Sequence, residues 1–166
     1  MRFMVIRMHP ILEASLATPT VDTLNIMRLS LVDWVSVGWA GRREPVAQIL
    51  RDMVLSEGGA GQATLFGGGR VPARAAALAN GTISHALDYD DTHFAHIGHP
   101  SVAVVSAACA LAEQVGASRD DLLRAALAGC EASIRFAAVL PNAGRYELRV
   151  HYNSSGNRAS NLPITV

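Results

Sequence analysis

Five stretches of this sequence repeat apolar residues at steps of three and four positions, and glycine or proline bounds most of them. This spacing places apolar side chains on one face of a helix. The stretches cover about residues 21–40, 44–56, 72–85, 100–115 and 119–140. Alanine occupies 19 positions between residues 73 and 138, and small side chains let helix axes approach closely. We therefore predict an all-α, bundle-like fold with an irregular C-terminal tail.

The connections between these helices carry turn and capping signals. Ser118 precedes Asp121 by three positions, close to a capping box that starts a helix. Asn80-Gly81 predicts an interruption of the third helix. The glycine-rich segment 58–69 predicts a connector with a short strand at 63–66, because it lacks the glycine and lysine order of phosphate-binding loops.

Composition divides the chain into an N-terminal extension (1–19), an incomplete helical domain (20–140) and a divergent tail (141–166). The tail is rich in asparagine and lacks helical periodicity, so we expect it to be disordered or to form a short hairpin through 146–152. The longest apolar run, 102–112, is about half the length that a bilayer span requires. The N-terminus lacks the apolar run of a signal peptide. We expect a cytoplasmic protein without a membrane partner.

Charged residues and cysteines exclude several functions. The chain has 14 arginines, no lysine and 14 acidic residues, so its formal net charge is zero. That balance argues against a nucleic-acid partner, and the lack of lysine excludes Schiff-base catalysis. Cys109 and Cys130 lie in apolar stretches without metal-ligand spacing, which predicts buried, reduced thiols.

Residues 85–99 hold four of the six histidines together with three aspartates. Such groups are costly to bury unless they are paired, so we expect a polar pocket at helix ends. Helical spacing would place His85 beside Asp88, and Asp88, Asp91 and Thr92 along one edge. His99 precedes Pro100 at the predicted N-cap of the fourth helix, where the helix dipole disfavours an imidazolium. A neutral histidine beside carboxylates can act as a general base.

Two other interpretations of this segment remain open. His93, His96 and His99, with Asp88 or Asp91, could bind zinc or iron, although their spacing is not that of a helical H-E-x-x-H motif. Alternatively, the segment is a solvated loop whose acidic residues cap a helix.

The stretches Asn80-Gly81-Thr82, His85 to His93 and His99-Pro100-Ser101 closely resemble the MmgE/PrpD family. This family includes 2-methylcitrate dehydratase, cis-aconitate decarboxylase and iminodisuccinate epimerase. Weaker matches around residues 31–41, 59–69 and 111–131 extend the resemblance over about 21–140. It implies the N-terminal part of a large helical domain, a smaller α+β lid domain, an active site between the two, and frequent homodimers.

The resemblance also implies a lyase or isomerase that acts on di- or tricarboxylates without a redox cofactor, and we expect no cofactor and no metal. By position, His99 would transfer a proton and Thr92 would hydrogen-bond the substrate. Asp88 would orient the catalytic groups or relay the proton. Asp91, His85 and His96 are weaker candidates for substrate binding, and Asp91 could instead hold the loop by accepting backbone donors.

This sequence also departs from the family's pattern. The family binds substrate carboxylates with lysines and a later histidine, and the nearest cations here are Arg70, Arg74 and Arg135. The tail from Glu147 does not resemble the family, as a truncated or frame-shifted reading frame would produce. We therefore expect a fragment that is inactive alone. The alternatives are a noncatalytic helical scaffold that self-associates through exposed apolar surface, and a metal-binding module.

Overall fold

The computed structural model describes residues 3–4, 18–93, 98–138, 147–150 and 162–165, and side chains within 18–93 and 98–133. Five helices lie in these ranges: α1 Val21–Gly41, α2 Pro45–Glu57, α3 Ala73–His85, α4 Pro100–Val115 and α5 Arg119–Ala138. Each one coincides with a predicted helix to within about two residues. The predicted all-α class is confirmed.

Local signals in the sequence set the helix ends. The Thr20 hydroxyl accepts a hydrogen bond from the backbone N–H of Thr23 at the start of α1. Ser118 and Asp121 form the predicted capping box: the Asp121 N–H donates to Ser118 Oγ over 3.2 Å, and the Ser118 N–H donates to the Asp121 carboxylate over 3.3 Å. Gly116, at φ 66°, ends α4 in the left-handed conformation that glycine adopts without steric cost.

Helices α3 and α4 form an antiparallel pair, and their backbones approach closely at Gly81. A Cβ atom there would lie 2.9 Å from the backbone oxygen of Val102, so only glycine fits. The predicted interruption at Asn80-Gly81 is wrong, because α3 continues through both residues. The Asn80 side chain accepts a hydrogen bond from the Phe66 N–H and donates one to the Thr64 carbonyl, which ties the connector to α3.

Two apolar clusters surround this pair. One joins α2, α3, α4 and the connector, and it consists of Val54, Ala63, Leu65, Val71, Ala73, Ala76, Ala79 and Ala110. The other joins α1, α4 and α5, and its buried members are Met27, Trp34, Val105, Leu123 and Ala126. Trp34 satisfies its indole N–H by donating to Ser106 Oγ over 2.8 Å. The small side chains in these clusters allow the close packing that the alanine content predicts.

Short strands complete the described structure. The connector forms an antiparallel hairpin of β2, Ala63–Thr64, and β3, Arg70–Val71, as its predicted strand suggested. Three further strands form a second sheet: β1 Phe3–Met4, β4 Glu147–Val150 and β5 Leu162–Thr165. In it, β4 pairs parallel to β1 and antiparallel to β5. Strand β4 lies within the segment 146–152, for which a short hairpin was one of the two expectations. No described helix has the length and apolar character required to cross a membrane.

Candidate active site

Two helix ends bring the predicted histidines together. His85 is the last residue of α3, and His99 is the N-cap residue of α4. Because these helices pack antiparallel, the two imidazole rings lie edge to face, with 4.8 Å between their centroids. Asp88 adopts a positive φ of 55°, and the chain turns there after α3 ends. The predicted N-cap position of His99 is confirmed.

The carboxylate of Asp90 is fully buried between these rings. Its Oδ1 atom lies 2.8 Å from Nδ1 of His85, within hydrogen-bond distance. Its Oδ2 atom lies 3.4 Å from Nδ1 of His99. That Nδ1 also lies 3.1 Å from the backbone oxygen of Asp90, which accepts a hydrogen bond from it. Asp90 therefore contacts Nδ1 of both histidines.

These contacts determine which ring nitrogens carry the protons. A carboxylate and a carbonyl oxygen only accept hydrogen bonds, so Nδ1 is the donor in both rings. In a neutral imidazole the other nitrogen, Nε2, then presents a lone pair. The Nε2 atoms of His99 and His85 lie 3.5 Å and 4.0 Å from Oδ1 of Asp88, whose side chain is 77% exposed. Two imidazole lone pairs and one carboxylate oxygen thus converge at the solvent boundary.

Asp91 anchors the loop to the start of α4. Its carboxylate accepts hydrogen bonds from the Ser101 hydroxyl over 2.5 Å and from the Ser101 N–H over 3.2 Å. Its own N–H donates to the carboxylate of Asp33 on α1 over 3.1 Å. Partial burial raises the pKa of Asp33, and the nearby charges of Asp91 and Asp90 raise it further, although the Asp91 N–H opposes them. Asp91 occupies the loop-holding position that was one of its two predicted roles.

The other predicted residues have different positions. Thr92 is exposed at the surface beyond Asp91, and His96 lies outside the described residues. The predicted helical edge through Asp88, Asp91 and Thr92 is wrong, because α3 ends at His85 and the loop turns Asp90 inward instead. Sequence reasoning assigned no role to Asp90. Its place between two histidines depends on the turn at Asp88, with its positive φ of 55°, which the sequence does not indicate.

Cations are arranged differently from the sequence expectation. Arg70 forms an ion pair with Glu113 at 2.9 Å and donates to the backbone oxygens of Gly61 and Gln62. It therefore secures the β2–β3 hairpin to α4. Arg74 is exposed on α3, and the side chain of Arg135 lies outside the described residues. The neighbours of the Asp90 carboxylate are instead the imidazole rings of His85 and His99.

A separate cavity of about 490 Å³ lies near the C-terminal end of α4, away from the histidines at its N-terminal end. Its lining includes Trp34, Phe66, Cys109, Glu113 and Arg119. Cys109 and Cys130 are unpaired and partly buried, in line with the predicted reduced thiols. Burial raises the pKa of each thiol to about 11. None of the predicted catalytic residues lines this cavity.

Comparison with known proteins identifies the family. The family described as MmgE/PrpD N-terminal domain matches residues 10–155, so the chain belongs to it. The match is wider than the segment 21–140 that carries the resemblance in sequence. It includes part of the assigned N-terminal extension and part of the tail. A search among curated proteins found no significant match.

Proposed function

We propose that this chain belongs to a lyase- or isomerase-type enzyme that removes a proton beside a carboxylate of a small di- or tricarboxylate. The observation that carries the proposal is the state of His99: its Nδ1 donates to the Asp90 backbone oxygen over 3.1 Å, which leaves Nε2 as a proton acceptor. Membership of the MmgE/PrpD family supports the substrate class.

The surrounding carboxylates suit His99 to this role. When Nε2 accepts a proton, the ring becomes a cation, and Asp88 Oδ1 at 3.5 Å and Asp90 Oδ2 at 3.4 Å can balance its charge. These distances support the proposal that Asp88 orients the ring, as the resemblance implies. The exposed hydroxyl of Thr92 would donate a hydrogen bond to the substrate. Asp91 would hold the loop in place, and His85 would contact the substrate next to His99.

Substrate binding to this chain should be weak. Two or three carboxylates need cations or hydrogen-bond donors to replace their hydration. The sequence has no lysine, and Arg70 is committed to Glu113. We therefore propose that the chain supplies the proton-transfer step, and that completing dehydration or decarboxylation requires further carboxylate-binding groups.

Solvent-deuterium exchange tests the proton-transfer step directly. The full chain is incubated in D₂O with 2-methylcitrate, citrate or cis-aconitate at millimolar concentration, and proton NMR follows the C–H signals beside the carboxylates. We expect exchange above a protein-free control but no net dehydration or decarboxylation, which is the sense in which the chain alone is inactive. His99→Asn should slow exchange by at least about a hundredfold, the usual contribution of a general base. The matched control His93→Asn should retain it. Equal rates for the wild type and His99→Asn would refute the assignment.

We also propose that the chain self-associates, in a reducing compartment such as the cytoplasm. Helix α1 is apolar on two sides, which is typical of a helix covered on both. Beyond its buried face it exposes five large apolar side chains, each between 49% and 70% exposed: Ile26, Leu29, Val32, Val35 and Trp39. A second copy of the chain would cover this surface, and the two free thiols favour a reducing compartment.

A further inference from the structure

The convergence of two imidazole lone pairs and a carboxylate oxygen also has the chemistry of a metal site. We propose that His85, His99 and Asp88 bind a divalent transition-metal ion of the Zn²⁺ class, with Asp90 as the outer partner of both histidines. The ligand atoms would be Nε2 of each histidine and a carboxylate oxygen of Asp88. Imidazole and carboxylate are ordinary zinc ligands, and three protein ligands leave a position open for water.

The spacing of these atoms is close to that of a zinc site. Bonds of about 2.0–2.1 Å in a tetrahedron place neighbouring ligand atoms about 3.4 Å apart. Oδ1 of Asp88 lies 3.5 Å from Nε2 of His99 and 4.0 Å from Nε2 of His85. Ligand atoms of these three residues and Asp90 all lie within 4.8 Å of one another. Small side-chain rotations would therefore complete the site, and the exposed Asp88 is free to make them.

The outer contacts match those that metal-binding histidines require. A histidine that binds a metal through Nε2 almost always donates its Nδ1–H to a carboxylate or a backbone carbonyl. Both arrangements occur here on one residue: His85 donates to the Asp90 carboxylate over 2.8 Å, and His99 donates to the Asp90 backbone oxygen over 3.1 Å. These bonds fix the tautomer and the ring orientation before a metal arrives.

The burial of Asp90 is an independent observation that points to a cation. Its side chain is 0% exposed, yet Oδ2 has no hydrogen-bond partner within the described parts of the chain. A buried carboxylate with an unsatisfied oxygen is costly unless positive charge lies nearby. A metal held by the two rings that flank Asp90 would supply that charge.

This ligand set differs from the one that spacing suggested. The sequence grouped His93 and His96 with His99, whereas His93 is not among the described residues whose ligand atoms converge. A metal on Nε2 of His99 would occupy the lone pair that accepts the proton. If His99 has the proposed catalytic role, Zn²⁺ would therefore inhibit proton transfer. Only this consequence rests on the proposed function.

Zinc titration of the full chain, purified without a histidine tag, tests the site. Isothermal titration calorimetry with ZnCl₂, and competition with a colorimetric zinc chelator, should give one equivalent of bound metal. His85→Gln and His99→Gln should each weaken binding more than about tenfold, and Asp90→Asn should weaken it about tenfold to a hundredfold as an outer partner. His93→Gln is the matched control and should bind as the wild type does. Circular dichroism establishes that each variant is folded.

A measurement on the unmodified chain keeps the test independent of the variants. Long-range ¹H–¹⁵N NMR should show Nδ1–H tautomers for His85 and His99, and adding Zn²⁺ should shift the ring nitrogen signals of these two histidines, Nε2 most strongly, and leave the other histidines in place. Absence of one-equivalent binding at roughly 100 µM free zinc, a concentration that would nearly fill a site of micromolar affinity, would overturn the proposal. So would loss of binding in His93→Gln with retention in His85→Gln. Zinc binding without any deuterium exchange would support the metal site while refuting the proposed catalytic role.

Discussion

Oδ1 of Asp90 accepts a hydrogen bond from Nδ1 of His85 over 2.8 Å, although the carboxylate is fully buried and the histidine side chain is 45% exposed. The buried Asp90 thus sets the orientation of both histidine rings. The outward nitrogen of each ring meets solvent, and the inward nitrogen is fixed by a group that solvent does not reach. Changes to Asp90 should therefore act on chemistry through the histidines.

Asp90→Asn should slow deuterium exchange while preserving the fold. The amide oxygen can still accept the hydrogen bond from His85, but the charge that balances protonated His99 is lost. We expect about a tenfold slower exchange, since a hydrogen bond to a charged group contributes about 1.5–3 kcal/mol. The pH profile of the exchange rate should also shift, which a purely structural role would not produce. An unchanged rate and profile would show that Asp90 does not position the histidines.

Asp91→Ala should destabilise the chain by about 1–2 kcal/mol, the usual cost of losing a helix N-terminal cap. Its carboxylate accepts both the hydroxyl and the backbone N–H of Ser101. Urea unfolding of Asp91→Ala, Ser101→Ala and the double variant should show non-additive losses, because the two residues share a hydrogen bond. Asp120→Ala, an exposed acidic residue in the first turn of α5, is the control and should change stability by less than about 0.5 kcal/mol. Additive effects would argue against the cap.

Asp33→Asn should stabilise the chain at pH 7 by less than about 1 kcal/mol, because solvent screens a partly exposed group. The pKa of Asp33 is raised in the folded state by burial and by the charges of Asp91 and Asp90. The protonated form therefore favours folding: this contribution is fully present below the unfolded-state pKa and is lost as pH rises through the folded-state pKa. The asparagine oxygen can still accept the Asp91 N–H. The melting temperatures of the wild type and Asp33→Asn should converge as pH falls toward the ordinary aspartate pKa range. A difference in melting temperature that does not change with pH would contradict the raised pKa of Asp33.

The thiols should react slowly with iodoacetamide at pH 7.5. Burial raises the pKa of both Cys109 and Cys130 to about 11, and the thiolate is the reactive form. Fewer than about one thiol in a thousand is ionised under these conditions, as the pKa difference requires. Mass spectrometry should therefore find much slower labelling of the folded chain than of the chain unfolded in guanidinium. Similar labelling rates in the folded and the unfolded chain would contradict the burial of the two thiols.

Leu29→Glu combined with Val32→Glu should abolish self-association. These side chains are 70% and 63% exposed on the outer face of α1, so charge there should not disturb the core. Sedimentation equilibrium should show concentration-dependent association of the wild type and a monomer for the variant, with the same helical circular dichroism. A glutamate pair at exposed positions on another helix, Ala107→Glu with Gln114→Glu on α4, is the control. A monomeric wild type at 100 µM, roughly the range of weak dimers, would refute the proposal.

The helices could be predicted closely because apolar periodicity and the glycine, proline and capping residues at helix ends act through local contacts. Gly116 ends α4, and Ser118 with Asp121 starts α5, through contacts within a few residues. The site was harder to predict, because its chemistry depends on where the chain leaves the helix after His85. Asp90 reaches the interior through a turn at Asp88, whose positive φ of 55° no helical spacing can indicate. The error at Asn80-Gly81 has a tertiary cause as well: the close contact with α4 outweighs the weak helix propensity of these residues.

The close contact at Gly81 also makes the geometry of the histidine pair independent of the sequence of the loop that follows Asp91. It fixes the distance between α3 and α4, and Asp91 is tied to Ser101, so the histidine pair keeps its geometry whatever follows in the loop. The stretch from Thr92 to Gly98 begins and ends at these fixed points and is closed by the hydrogen bond from the His93 N–H to the Gly98 backbone oxygen. Under the proposed function, substitutions between these fixed points would change substrate contacts, such as that of Thr92, without moving the histidine pair.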